Sequence, residues 1–184
     1  MHRMLLLEKL DAYTGFDQAE TRMCTVLERF VQANPRCFER SLDIGHITGS
    51  AWIVDLENTH VLLTHHRKLD RWLQLGGHAD GDPNILNVAW REAREESGLE
   101  QVKPASENIY DVDVHAIPAS PKEPAHFHYD VRFLFTANRH TPLIISNESK
   151  DLAWVPVADI AKYSVDDSIM RMVHKMRRGR ANGI

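Results

Sequence analysis

Apolar residues recur at Met23, Val26, Leu27, Phe30 and Val31, a three-and-four spacing that predicts an amphipathic helix over about 17–33, ended by Asn34-Pro35. A shorter apolar segment at 4–10 precedes it. Together they predict an N-terminal helical extension, residues 1–40, ahead of a main domain at 41–184. The pattern changes after Ser41. Residues 47–54 and 61–65 are β-branched or apolar runs, and the turn-like Glu57-Asn58-Thr59 between them completes a predicted hairpin. Residues 111–117 and 126–136 read as strands joined by the proline-rich 118–124, and 152–155 as a short strand. A helical turn from Ala158 and a last amphipathic helix over about 166–177 follow. Strands alternating with helices, with no repeat or low-complexity tract, predict an α/β or α+β domain with a mixed sheet.

Gly76-Gly77 and the polar loop 78–82 lead into a helix predicted from about Pro83 to Ser97. Asp82 suits its N-cap, Pro83 its first position and Gly98 its end. At about 100° per residue, Glu92, Glu95 and Glu96 share roughly one third of the helix circumference. They extend the stripe of Ile85, Val88 and Ala89, while Asn87, Arg91 and Arg94 face the solvated side. Three carboxylates converging on a partly buried surface repel one another unless protonated or met by cations. Hard divalent cations answer that need, and Mg²⁺ shares its coordination among carboxylates, water and substrate phosphates. The competing reading is a solvated acidic face with Arg91 paired to Glu95.

The run Arg91-Glu92-Ala93-Arg94-Glu95-Glu96-Ser97-Gly98-Leu99 resembles the second half of the Nudix box, with Gly77 at the spacing of its opening glycine. The likeness extends more loosely to Trp72–Gly77 and to Trp154-Val155-Pro156, and says little about residues 1–40. It implies an α/β fold, an α/β/α sandwich with a mixed central sheet, in which the box forms a loop–helix–loop that holds divalent metal. The resemblance further implies a Nudix hydrolase that cleaves a pyrophosphate linkage in a nucleoside diphosphate linked to another moiety, with Mg²⁺ as cofactor or Mn²⁺ in its place. Within that pattern Glu95 and Glu96 are the first metal ligands, and Glu92 is a further ligand or the base that positions water. The Gly77 carbonyl completes the coordination, Arg91 orients the glutamates by a salt bridge, and Glu148 is the loop glutamate that can serve as general base. One position departs from the pattern: Pro83 stands where the box has a glutamate six residues after its opening glycine, with Asp80 and Asp82 as partial substitutes. That departure supports the alternative of a nucleotide-binding or regulatory module without turnover. The isomerase branch of the fold is a poorer match, since neither cysteine stands in a suitable motif.

Composition narrows the setting. A formal net charge of −4 over 184 residues provides no global basic field, so nucleic acid is not the expected partner. The basic tail Lys175, Arg177, Arg178 and Arg180 reads as a solvated helix end. Cys24 and Cys37 form no metal or redox motif and read as reduced thiols of a cytoplasmic protein. Met4–Leu7 is interrupted at once by Glu8, Lys9 and Asp11, too soon for a signal peptide or a membrane span. The apolar stripe of the N-terminal helix needs a partner surface, in the chain's own core or in a second copy as a homodimer. His126, His128 and Asp130 alternate on one face of a predicted strand. Such a row can bind a transition metal or contact phosphates, or serve as a structural polar face. His65, His66 and His78 read as loop residues near the site.

Overall fold

The period of the N-terminal helix is set by what it buries. In the computed structural model, which describes residues 2–121 and 123–181, helix α1 spans Met4–Asp11 and α2 spans Gln18–Ala33. Asp17 caps α2 by accepting from the Glu20 amide at 2.8 Å. Asn34, extended before Pro35, closes it. Leu27, Phe30 and Val31 are buried as the pattern predicts, whereas Val26 is 47% exposed. The buried line runs instead from Glu20 through Leu27 to Val31, and Val26 lies about 100° off it.

The remaining elements are β1 (Gly45–Asp55), β2 (His60–His66), β3 (Arg71–Leu73), β4 (Leu75–His78), α3 (Ile85–Ser97), β5 (Lys103–Pro104), β6 (Asp111–Ile117), β7 (His126–Ala137), β8 (Ser149–Pro156), a 3₁₀ turn at Ile160–Lys162, and α4 (Asp167–Ala181). Hydrogen-bonded neighbours run β3, β2, β1, β7, β5, with β4 on β1, β6 on β7 and β8 on β2. This is the α/β class with a mixed sheet and flanking helices. Among the described residues no helix is long and apolar enough to cross a membrane. The Arg180 side chain, part of the expected basic tail, lies outside the described residues.

The chain divides into two compact units. The first contains Met1–Ser50, Gly76–Ala89 and Ser106–Phe133. Here β6 pairs antiparallel with β7 from Asp111↔Arg132 to Ile117↔His126, and α2 packs on β6. The fully buried Glu20 carboxylate joins the two, accepting from the Val112 amide of β6 at 3.1 Å, the Phe16 amide at 2.6 Å and the Tyr13 hydroxyl at 2.6 Å. At the start of β4, Gly76 has no room for a side chain, since a Cβ would lie 2.8 Å from the Gly49 carbonyl oxygen. The loop before α3 differs from expectation. Asn84 is the capping residue, its side chain accepting from the Asn87 amide at 3.3 Å, while Asp82 accepts from the Asn84 amide at 2.8 Å. The helix therefore begins at Ile85, two residues beyond Pro83.

The second unit contains Ala51–Leu75, Trp90–Ala105 and Leu134–Ile184. The end of β1 pairs with β2 through Ile53↔Leu62 and Val54↔Val61, giving the expected hairpin. Its turn places Asn58 at φ 55, a conformation Asn tolerates better than most residues. β8 runs from Ser149, three residues earlier than the pattern suggests, and pairs with β2 from His60↔Pro156 to His66↔Ser149. Gly98 ends α3 at φ 72, as expected.

Two measurements probe these contacts. Replacing Glu20 with Ala removes the carboxylate that the Val112 and Phe16 amides and the Tyr13 hydroxyl all donate to, and should lower unfolding stability by about 2–3 kcal/mol in denaturant titrations. Asp55 is fully buried, and burial opposes its charge, yet the His60 and Thr59 amides and the Thr59 hydroxyl hold its carboxyl down at about 2. Because the folded value is depressed, the associated stability is complete above the unfolded value near 4 and is lost as pH falls toward 2. The loss should amount to about 2 kcal/mol and should be absent in Asp55→Asn.

Candidate functional site

The carboxylates of α3 occupy graded environments. Ile85, Val88, Ala89 and Ala93 are buried, and Glu96 continues their face at 6% exposure. Glu92 is half-buried and Glu95 is exposed, so the stripe turns toward solvent across the three glutamates. Arg91, expected on the solvated side, is half-buried and pairs with the neighbouring Glu92, its Nη2 standing 3.0 Å from Oε1. Burial raises the Glu92 carboxyl above its ordinary range. The Arg91 hydrogen bond and charge oppose the shift, and the Glu95 and Glu148 charges add to it.

Glu148 thus stands within electrostatic reach of Glu92, both in the second unit. It immediately precedes β8 and is exposed. Its loop is pinned to the end of β2 by Arg67, whose amide donates to the Glu148 carbonyl at 2.8 Å and whose guanidinium donates to the carbonyls of Asn147 and Ser149 at 3.0 and 2.7 Å. His66 is also near enough to Glu148 to sense its charge, although burial dominates and lowers its pKa. Arg67 did not stand out in the sequence, and His66 did so only as a residue near the site, because their relation to Glu148 spans some eighty residues. Gly77, the remaining expected ligand, lies on β4 in the first unit.

The histidines depart from expectation. His65 and His66 are strand residues of β2, and His78 ends β4; none is in a loop. His65 stacks on Trp72 at 5.0 Å and its Nε2 lies 2.8 Å from Asp70. In the His126, His128 and Asp130 row, Asp130 is structural: it is buried and accepts from Thr48 and Ser50 hydroxyls at 2.9 and 2.8 Å and from Arg132 Nε at 2.7 Å. His126 and His128 instead gather with His46 and His78, with ring centroids 4.9 to 5.1 Å apart between His46 and His128, His46 and His78, and His78 and His128. Burial, with neighbouring imidazoles adding to it, pushes His46 down to about 4 and His128 to about 3. His46 was missed because nothing in its local pattern distinguishes it from an ordinary strand residue.

The NUDIX domain family profile matches residues 46–175, a span that includes the whole carboxylate helix and Glu148. Comparison with the curated proteins gives no match. Solved structures with a similar fold include a binary complex of the Ap4A hydrolase of C. elegans, at TM-score 0.60 and 18% identity over 74% of this chain and 98% of that one. The E. coli dihydroneopterin triphosphate pyrophosphohydrolase aligns at TM-score 0.55 and 13% identity, over 70% and 92% of the two chains. The Nudix hydrolase RenU of M. smegmatis aligns at 0.54 and 18%, over 75% and 88%. At these identities the likeness is one of fold. The profile match covers well over half of the chain and contains the ordered run from Arg91 to Leu99 that first suggested the box, so the chain belongs to the Nudix family.

Proposed function

We propose that this chain hydrolyses a pyrophosphate linkage in a nucleoside diphosphate linked to another moiety, using a divalent cation held by Glu92, Glu95 and Glu96. Mg²⁺ is the expected ion, with Mn²⁺ as its substitute. The observation that carries this reading is the shared carboxylate face of α3, on which half-buried Glu92 feels both Glu95 and Glu148 as like charges. A hard cation fits that donor set, because it relieves the repulsion and prefers oxygen ligands. When bound it would neutralise phosphate charge and make an attacking water more acidic.

The chain's own groups divide the remaining work. Glu92, its proton affinity raised by burial, is suited to hold a water and take its proton, with Arg91 fixing its orientation. Glu148 is the second candidate base, on a loop that Arg67 keeps close to β2. Gly77 enters only through the family pattern. Residues 1–40 act in this reading as a helical extension to a Nudix domain at 41–184, tied down through Glu20. The two free thiols, Cys24 and Cys37, accord with a cytoplasmic setting.

The test is a panel of nucleotide sugars, dinucleoside polyphosphates, ADP-ribose and nucleoside triphosphates, with release of nucleoside monophosphate or phosphate measured with and without Mg²⁺. At least one compound should turn over in a Mg²⁺-dependent manner. Glu95→Gln and Glu96→Gln should each lower kcat by about 10²-fold or more, the scale on which loss of charge stabilisation acts. Calorimetric Mg²⁺ binding that is unchanged in Glu96→Gln would remove the metal assignment. Pro83 favours the second reading, a binding module without turnover. If the hydrolase reading holds, Pro83→Glu should change kcat by less than about tenfold, or 1.4 kcal/mol. Tight nucleotide binding without turnover in the natural chain, with turnover appearing in Pro83→Glu, would select the binding module.

A further inference from the structure

His46, on β1 of the first unit, is 3% exposed, and both of its ring nitrogens are buried without a hydrogen-bond partner among the described residues. Buried polar atoms normally find partners, so two unmet nitrogens on one ring point to a group the side chain is built to meet. One ligand nitrogen each from His46, His78 and His128 can be chosen so that all lie within 4.8 Å of one another. We propose that these three imidazoles form a binding site for a transition-metal ion of the Zn²⁺ class, a site whose donors differ in kind from the carboxylates of α3 and which stands independently of the hydrolase reading.

The donor chemistry selects the ion. Imidazole nitrogen suits Zn²⁺, Co²⁺, Ni²⁺ and Cu²⁺, whereas Mg²⁺ prefers oxygen. Nitrogens bound tetrahedrally at about 2.0–2.1 Å lie about 3.3 Å apart, so closure from 4.8 Å needs a contraction of about 1.5 Å, within reach of side-chain rotation. The ligands stand on three strands, β1, β4 and β7, which limits the ordering that binding must add. His78 and His128 are half-buried, leaving a side from which an ion and a fourth ligand can enter.

The surroundings orient the ligands. His126 Nδ1 lies 2.9 Å from the Pro124 carbonyl and therefore donates to it, leaving Nε2 as acceptor in the neutral ring. That Nε2 is 3.2 Å from His128 Nε2, so His128 carries its proton there and offers its lone pair at Nδ1. A hydrogen bond that fixes the tautomer of a ligating imidazole is the usual companion of a histidine metal site. Arg40 and Glu123 both act on His46 and His78, and the ion pair between them, at 3.4 Å, offsets their opposite effects on an entering cation.

The full chain, without an affinity tag, is titrated with Zn²⁺ and with Co²⁺ in a large excess of Mg²⁺. One equivalent should bind, Co²⁺ should show the intense visible bands of a four-coordinate ion, and X-ray absorption on the unsubstituted chain with Zn²⁺ should show about three imidazole nitrogens. His46→Gln and His128→Gln should each weaken Zn²⁺ binding at least about tenfold, whereas Glu96→Gln should leave it unchanged. Should His46→Gln fail to fold, His128→Gln and the absorption measurement decide alone. Absence of Zn²⁺ binding in excess Mg²⁺, a shell of carboxylate oxygens, or a loss confined to Glu96→Gln would each overturn the proposal.

Discussion

A guanidinium cut off from water must be enclosed by its own counter-charges, and in the first unit that requirement falls on Arg132. It pairs with Asp130 at 2.7 Å, Asp111 at 3.2 Å and Asp113 at 3.3 Å, and is almost wholly buried. Burial works against the Asp130 charge, but the Arg132 charge and hydrogen bond hold its carboxyl below the ordinary range. Removing one member of such a cluster strands the others in low dielectric, which makes the arrangement close to indivisible. Through Asp111 and Asp113 the cluster grips β6, and through the Thr48 and Ser50 hydroxyls it grips β1. His46 stands two residues before Thr48, and His128 two before Asp130. Side chains two apart share a strand face, so the alignment that satisfies Asp130 also brings those imidazoles side by side.

Two kinds of donor therefore serve one chain. In the proposed reading the α3 glutamates would offer oxygen to a hard cation, and the imidazoles nitrogen to a softer one. Histidines pushed well below neutrality by burial stay uncharged at cellular pH and keep their lone pairs. The same desolvation raises the Glu92 carboxyl and lowers the His46 and His128 imidazoles, favouring the neutral form in each case.

What the sequence disclosed followed how local each signal was. The α2 stripe, the β1–β2 hairpin and the α3 face arise from contacts within one element or between adjacent ones, and their periods are readable. The two-residue β5 has no period of its own and exists because Lys103 and Pro104 pair with Thr136 and Phe135. Glu20 reads as a polar residue of an amphipathic helix until β6, some ninety residues later, supplies its donor. The α3 cap was misplaced because Asp82 and Asn84 are both good caps, and only the bonds they make decide between them: the Asn87 amide donates to the Asn84 side chain, while Asp82 accepts from the Asn84 amide. The box was legible as an ordered string of identities, whereas the imidazole cluster draws its members from positions 46, 78 and 128 and has no linear signature.

Gly98 has a further consequence through its neighbour. A side chain there would meet Ile144, since a Cβ would lie 2.7 Å from the Ile144 side chain, and the Ile144 amide donates to the Ser97 carbonyl at 2.8 Å. The loop is thus moored at Ile144, and again at 147–149 by Arg67. Glu148 hangs on a leash of a few residues, each able to extend by at most about 3.5 Å. Insertions or deletions in the exposed stretch before Ile144 can be absorbed there and leave the carboxylate where it is. One residue gained or lost between the two moorings would change its reach, so the length of that short segment is the dimension along which this loop is least free to vary.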